Sequence, residues 1–304
     1  MKKINLNGFI EETKEANIFS VIVLQGGEVV GEYHSETERV RNQYSVSKSF
    51  TSTAVGFAVE EGLLNLDDRI LDFFPKEAPE KPSDNLKALK LKDLLRMSTG
   101  QFNGHLMADS SFGTTPRFEI LEENWVKYCL NQSYPLKPGD RFVYSNVGAY
   151  LAGVMVQKKS GMDLVEYLMP RLFEPLGINK PNWEKCPRGY NFGAGGLNIS
   201  TSELSRFGQF YLQKGQWHGK QLLSKEWIKE ATSKQIDTDN RGDWGCGYGY
   251  QFWRGEHNSY RADGKFGQYC IVLNDKNAVI TINAHATRVR RVMEAVWTEI
   301  WTQL

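Results

Sequence analysis

Long apolar runs are missing from this 304-residue chain. None approaches the roughly 18 consecutive apolar residues that a membrane-spanning helix needs. The N-terminus reads Met-Lys-Lys-Ile-Asn-Leu-Asn-Gly. Two basic residues come first, but Asn5, Asn7 and Gly8 interrupt any apolar export segment. The expectation is a soluble, cytoplasmic protein with no membrane partner. An excess of either charge is also missing. Lys+Arg is 37 and Asp+Glu is 36, a net +1. A nucleic-acid binder held by phosphate contacts needs a basic surplus, and an acidic disordered chain needs the opposite.

Cysteine is sparse. Cys129, Cys186, Cys246 and Cys270 form no CxxC pair, and no histidine stands near them at metal-ligand spacing. Four reduced thiols are expected, and no metal. The chain has no GxSxG elbow, HExxH, Walker A loop or complete GxGxxG, so nothing implies a cofactor. Its five histidines are scattered, and no Ser-His-Asp set stands out.

What is present is globular. Hydrophobic residues make up 40% and charged residues 24%, and 304 residues can bury a large core without disulfides. Phe19–Tyr33 contains two β-branched runs around Gly26-Gly27, a β-hairpin signal. A helix is predicted from Ser45 to Glu61, with Gly62 as its C-terminal stop. Helical segments then alternate with loops: Leu89–Met97, Ile120–Cys129, Val147–Lys159 and Leu164–Phe173. Strand character returns at Tyr248–Trp253, Gln268–Leu273 and Ala278–Asn283, the last two flanking the turn Asn274-Asp275-Lys276-Asn277. Val289, Val292, Met293, Val296, Trp297, Ile300 and Trp301 share one face of a closing helix. That face needs an apolar surface to cover. The predicted fold is therefore α+β: an antiparallel sheet from both chain ends, flanked by helices, with a helical region inserted. The predicted boundaries are 1–68 and 188–304 for the sheet-containing domain and 69–187 for the helical one.

One Ser-Lys candidate exists. Of 19 serines, only Ser45 has lysine three residues on, at Lys48. On a helix that spacing puts both side chains on one face, where a lysine made less basic can take the hydroxyl proton. Chance alone supplies about 1.4 such pairs in this composition, so the spacing by itself also fits a capping serine beside a surface lysine. Of 13 tyrosines, only Tyr144 has asparagine two residues on, at Asn146. A glycine-rich run, Ala262-Asp263-Gly264-Lys265-Phe266-Gly267-Gln268, enters a predicted strand. Taken alone it reads as a turn or bulge.

In this order, these elements resemble the serine β-lactamase/penicillin-binding protein superfamily, its class C and esterase branch above all. Tyr44–Ser52 resembles the family's nucleophile helix, and Glu61–Asp68 the segment after it. Leu91–Gly100 resembles its Leu-Leu-x-Met-Thr-Ser-Gly stretch, Phe142–Leu151 its Tyr-x-Asn segment, and Gly195–Gly208 its later Gly-Gly-Leu block. The resemblance implies the β-lactamase/transpeptidase-like fold. It implies Ser45 as nucleophile, Lys48 as proton acceptor, Tyr144 as proton shuttle to the leaving group and Asn146 as a substrate ligand. The oxyanion hole would combine the Ser45 N–H with one from the third motif.

That motif departs from the family's Lys-Thr-Gly. One register aligns Ala262-Asp263-Gly264 with it and makes the Lys265 N–H the second oxyanion donor. The other reads Lys265-Phe266-Gly267 and moves the donor to Gln268. The first is preferred for its Gly-x-x-Gly-Gln ending. It leaves Ala262 where β-lactam-directed members carry a cation for the substrate carboxylate. The expected activity is a serine hydrolase of a small-molecule ester or amide, favouring neutral substrates, with Trp244, Tyr248, Tyr250 and Trp253 as an apolar wall. A β-lactamase or DD-peptidase, and a non-catalytic binding protein on the same fold, are the alternatives. The sequence does not address oligomeric state.

Overall fold

The two chain ends meet in one sheet. In the computed structural model, which describes residues 2–304, the predicted N-terminal hairpin is β1 (Ile18–Gln25) and β2 (Glu28–His34). Four later strands join it: β3 (Trp253–Arg254), β4 (Tyr260–Asp263), β5 (Tyr269–Leu273) and β6 (Ala278–Ala284). The order across the sheet is β2-β1-β6-β5-β4-β3, with antiparallel pairing throughout. β1 and β6 join the ends, with Val21 opposite Ile282 and Val23 opposite Ile280.

Period-two alternation gives the sheet two apolar faces. Val21, Val23, Ile271, Ile280 and Ile282 face one side, in a core shared with Phe9 and with Val292, Met293, Val296 and Ile300. Phe9 lies on α1 (Asn7–Glu12), a short helix the sequence reading did not anticipate. Ile22, Leu24, Cys270, Val272 and Val279 belong to the core on the other side, with Phe207 and Phe210 of a helix over Thr201–Leu212. Behind that lie α2 (Ser47–Glu60) and α3 (Val147–Ser160), packed on each other. Every residue from Ser47 to Ala58 and from Val147 to Gln157 is buried, so both helices are apolar or internally satisfied all round. None of the helices between residues 70 and 168 contributes to the sheet, although one core runs through both regions. We propose the division 69–187 against 1–68 plus 188–304 on that ground.

Several predicted elements are shorter than their patterns. The helix expected at Ile120–Cys129 begins at Trp125, where the Asn124 side chain caps it by accepting from Lys127 N–H. That of Leu89–Met97 covers Leu91–Leu95. Leu164–Phe173 is α-helical only to Leu168 and continues as a π-helical turn containing Pro170, which has no N–H to give. The closing helix behaves likewise: α-helical over Val289–Ala295, π-helical over Val296–Ile300. Tyr248–Trp253 is not a strand, and regular pairing starts only at Trp253. Gln251, at φ 65°, turns the chain, and its side-chain amide donates to the carbonyls of Leu94 and Leu95. Those are carbonyls that a short helix leaves unpaired at its C-terminus. All four cysteines are free. Among the described residues, no helix is long and apolar enough to cross a membrane.

Candidate active site

The turn before α2 is strained, and it presents a serine. Tyr44 has φ 47°, a left-handed conformation costing roughly 1–2 kcal/mol for a residue with a Cβ. Three contacts hold it. Its N–H donates to Asn42 Oδ1 (2.8 Å), its carbonyl accepts from Ser47 Oγ (2.6 Å), and its ring meets Phe266 edge-on at 5.0 Å. Ser45 follows, in a single 3-10 turn that leads into α2. Ser47 and Ser49 are committed elsewhere. Ser47 Oγ also accepts from Leu197 N–H, and Ser49 Oγ donates to the Gln251 carbonyl. Of the three serines, only Ser45 lines the cleft.

Lys48 lies one turn further on, fully buried. Its Nζ is 3.1 Å from Ser45 Oγ, 2.6 Å from Asn146 Oδ1 and 2.7 Å from the Ala194 carbonyl. Burial, then the positive charge of Arg117, holds this amine well below its ordinary pKa. The partner set suits the neutral form. Two N–H bonds satisfy the two carbonyl acceptors, and the lone pair is left for the Ser45 hydroxyl proton. Asn146 is fixed from behind, its Nδ2 donating to the Leu106 carbonyl at 2.8 Å. Gly148 lets the start of α3 come this close: a Cβ there would lie 2.2 Å from the Leu94 carbonyl oxygen.

Tyr144 hydrogen-bonds the Ser45 hydroxyl, and its ring stacks on Trp253 at 5.8 Å with a 17° interplanar angle. Burial raises the phenol pKa far above its usual value, so it remains a proton donor at neutral pH rather than a phenolate base. Asp263 adds to that rise. The Asp263 carboxyl is mostly shielded from solvent, accepts from Arg261 Nε (3.0 Å) and Trp244 Nε1 (2.8 Å), and has a raised pKa because desolvation outweighs those partners.

The third motif crosses the far wall of the same cleft, a cavity of about 630 Å³. Ala262 is buried in β4, Asp263 ends the strand, and Asp263, Gly264 and Lys265 line the cavity. Gly264 sits against the segment that carries Ser45. A Cβ on it would be 2.8 Å from the Gln43 carbonyl oxygen and 2.6 Å from Gln268 Oε1. Among the described residues, neither the Ser45 N–H nor the Lys265 N–H has an acceptor within the protein. The Lys265 ammonium pairs with Asp109. Phe266 turns inward, between Tyr44 and a stacked His285 at 4.4 Å. Residues 264–267 therefore form a turn, closed by Gly267 N–H to the Gly264 carbonyl, and not a strand.

The expected aromatic wall is only half present. Trp244 and Trp253 line the cleft. Tyr248 and Tyr250 are buried elsewhere, against Phe142 and Trp227, because the turn at Gln251 sends them into the core. Two charged pairs in the cleft had no sequence signal: Asp109 with Lys265, and Arg117 with Glu184. Each joins residues far apart in the chain, and of the four only Lys265 belongs to a motif, whose sequence does not name Asp109 as its partner. No group of three or more His, Cys, Asp or Glu among the described residues could hold a metal.

Comparison with known proteins bears on the family and the fold. A family model described as Beta-lactamase matches residues 7–301. The 6-aminohexanoate-dimer hydrolase of Paenarthrobacter ureafaciens is 22% identical over 232 residues, which cover 72% of this chain and 58% of that protein. The lovastatin esterase of Penicillium rubens is 31% identical over 150 residues, covering 44% of this chain and 37% of that one. The chain thus spans less than two thirds of either relative. The penicillin-binding protein structure from Bacillus halodurans superposes with a TM-score of 0.74 at 16% identity, over 96% of this chain and 99% of that one. That likeness speaks for the fold.

Proposed function

The chain belongs to the Beta-lactamase family, and on that premise we propose that it is a serine hydrolase cleaving a small ester or amide through an acyl-enzyme on Ser45. One observation carries the reading: Ser45 Oγ is bonded both to the buried amine of Lys48 and to the phenol of Tyr144. The neutral amine takes the Ser45 proton as Oγ bonds to the substrate carbonyl carbon. The carbonyl oxygen becomes an oxyanion facing the Ser45 and Lys265 N–H groups. On collapse the bond to the leaving group breaks. Tyr144 gives that group its proton, and the Lys48 ammonium returns one to the Tyr144 phenolate, so both groups end neutral. Water then attacks the acyl carbon, passes a proton back along the same route, and frees Ser45 and the acid.

The surroundings of the third motif favour neutral substrates. Ala262 offers no charge, the Lys265 ammonium is engaged by Asp109, and Asp263 brings a carboxyl to the wall where a carboxylate anchor would need a cation. A side-by-side assay with short p-nitrophenyl esters and nitrocefin tests this. Ester turnover well above nitrocefin turnover is expected. Comparable rates would favour a β-lactamase or DD-peptidase. No turnover and no reaction with a fluorophosphonate would favour a non-catalytic binding protein.

A further inference from the structure

Arg117 is tied to the cleft wall through its backbone, one face of its guanidinium and one guanidinium edge. Its backbone N–H donates to the Met107 carbonyl at 2.8 Å. Its guanidinium lies 4.0 Å from the Phe118 ring centroid and 4.9 Å from that of Phe192. Glu184 takes one edge: Nε and Nη2 reach Oε1 at 3.3 and 3.1 Å, and Nη2 reaches Oε2 at 3.1 Å. The guanidinium's hydrogen bonds within the protein use Nε and Nη2 and leave Nη1 without a partner among the described residues, and Arg117 and Glu184 both line the cavity. A planar donor fixed this way loses little entropy when it makes one more hydrogen bond.

The pair lies on a definite side of the nucleophile. Tyr144, the proton donor, backs onto Trp253. Arg117 packs on Phe192, in the segment whose Ala194 carbonyl accepts from Lys48. The leaving group departs toward Tyr144, so the acyl chain extends along the Phe192 side. We propose that the Arg117–Glu184 pair is the acyl-side specificity element and selects acyl groups bearing a second, uncharged carbonyl, an amide or ester oxygen that accepts from Arg117. The proposal rests on the serine-hydrolase reading. The charge logic favours a neutral acceptor. Glu184 already neutralises the guanidinium, and a substrate carboxylate brought to Arg117 would meet the Glu184 carboxylate within the same contact. A plain alkyl chain gains nothing from the donor and costs it its solvent.

Three p-nitrophenyl esters of similar length test this: the N-acetyl-β-alaninate, the hexanoate and the hydrogen glutarate. In the unmodified protein, kcat/KM should fall in that order, by about tenfold per step. Glu184→Gln keeps the shape and removes the repelling charge, so the glutarate ester should gain tenfold or more relative to the N-acetyl-β-alaninate ester. Arg117→Met keeps bulk between the two rings, and the amide ester should lose its lead over the hexanoate. Ratios within one variant cancel any change in the reactivity of Lys48. Unchanged ratios in folded Glu184→Gln overturn the proposal, whether or not Arg117→Met folds. Fluorophosphonate labelling of each preparation separates the two levels. Labelled Ser45 with flat ratios removes the subsite and leaves the hydrolase reading intact, whereas unlabelled Ser45 in the unmodified protein removes both.

Discussion

Lys48 Nζ stands 3.1 Å from Ser45 Oγ, and its two other partners are carbonyl oxygens that can only accept. In the proposed mechanism the amine must be neutral to take the serine proton, and burial lowers its pKa in that direction. A free lysine titrates near about 10.4. Acylation by a neutral ester should therefore rise with pH and level off well below that value. Lys48→Arg keeps a cation that cannot be deprotonated in a protein. It should lose at least about 10² in kcat/KM, the lower end for a general base. Stopped-flow acylation between pH 5 and 10 checks both statements.

Arg117 is the second cause of that lowered pKa. Removing a positive charge near an amine makes protonation easier, so the Lys48 pKa goes up. In Arg117→Met the rising limb of the pH profile should move to higher pH, with the plateau nearly retained at alkaline pH for a small acetyl ester. A limb that stays in place would mean that Arg117 does not act on Lys48.

At Lys265 the backbone and the side chain have different work. Its ammonium forms a half-exposed pair with Asp109, at 45% and 46% exposure, and such pairs contribute about 0–1 kcal/mol. Lys265→Ala should leave turnover of a short neutral ester within a few-fold. Lys265→Pro removes the N–H and should cost about 10²–10³ in kcat, with circular dichroism to show that the turn survives. A severe loss in Lys265→Ala would shift the motif to the Lys265-Phe266-Gly267 reading.

In the proposed oxyanion hole, Gly264 spaces that N–H from Ser45. A methyl group there would press on the Gln43 carbonyl, two residues before Ser45. Gly264→Ala should lower kcat by an order of magnitude or more and leave KM for a small ester little changed, because the two N–H donors separate while the cleft remains. Steady-state kinetics beside a thermal melt distinguishes this from general unfolding.

How much of this was legible in the sequence follows from distance along the chain. Hairpins and amphipathic faces are local patterns. Phe19–Tyr33 and the Val289–Trp301 stripe read correctly for that reason, and so did the sheet they imply. Ser45 and Lys48 share a turn, and the order of the motifs tied them to Tyr144 and Asn146. The Tyr248–Trp253 misreading has a physical cause: aromatic residues suit strands, but the positive φ of Gln251 is set by helix carbonyls some 156 residues away in sequence. Arg117 and Glu184 are 67 residues apart and follow no periodicity. Only the folded cleft brings them together.

The acyl-enzyme mechanism requires the acyl group to form on Ser45. Ser47 and Ser49 follow the candidate closely, but their hydroxyls are tied to the Tyr44 and Gln251 carbonyls and neither lines the cleft. Reaction with a fluorophosphonate, followed by peptide mapping in a mass spectrometer, reads the modified residue without knowledge of the natural substrate. The prediction is a single adduct on Ser45, lost in Ser45→Ala and much slowed in Lys48→Arg. An adduct on Ser47 or Ser49, or none on the folded protein, would contradict it.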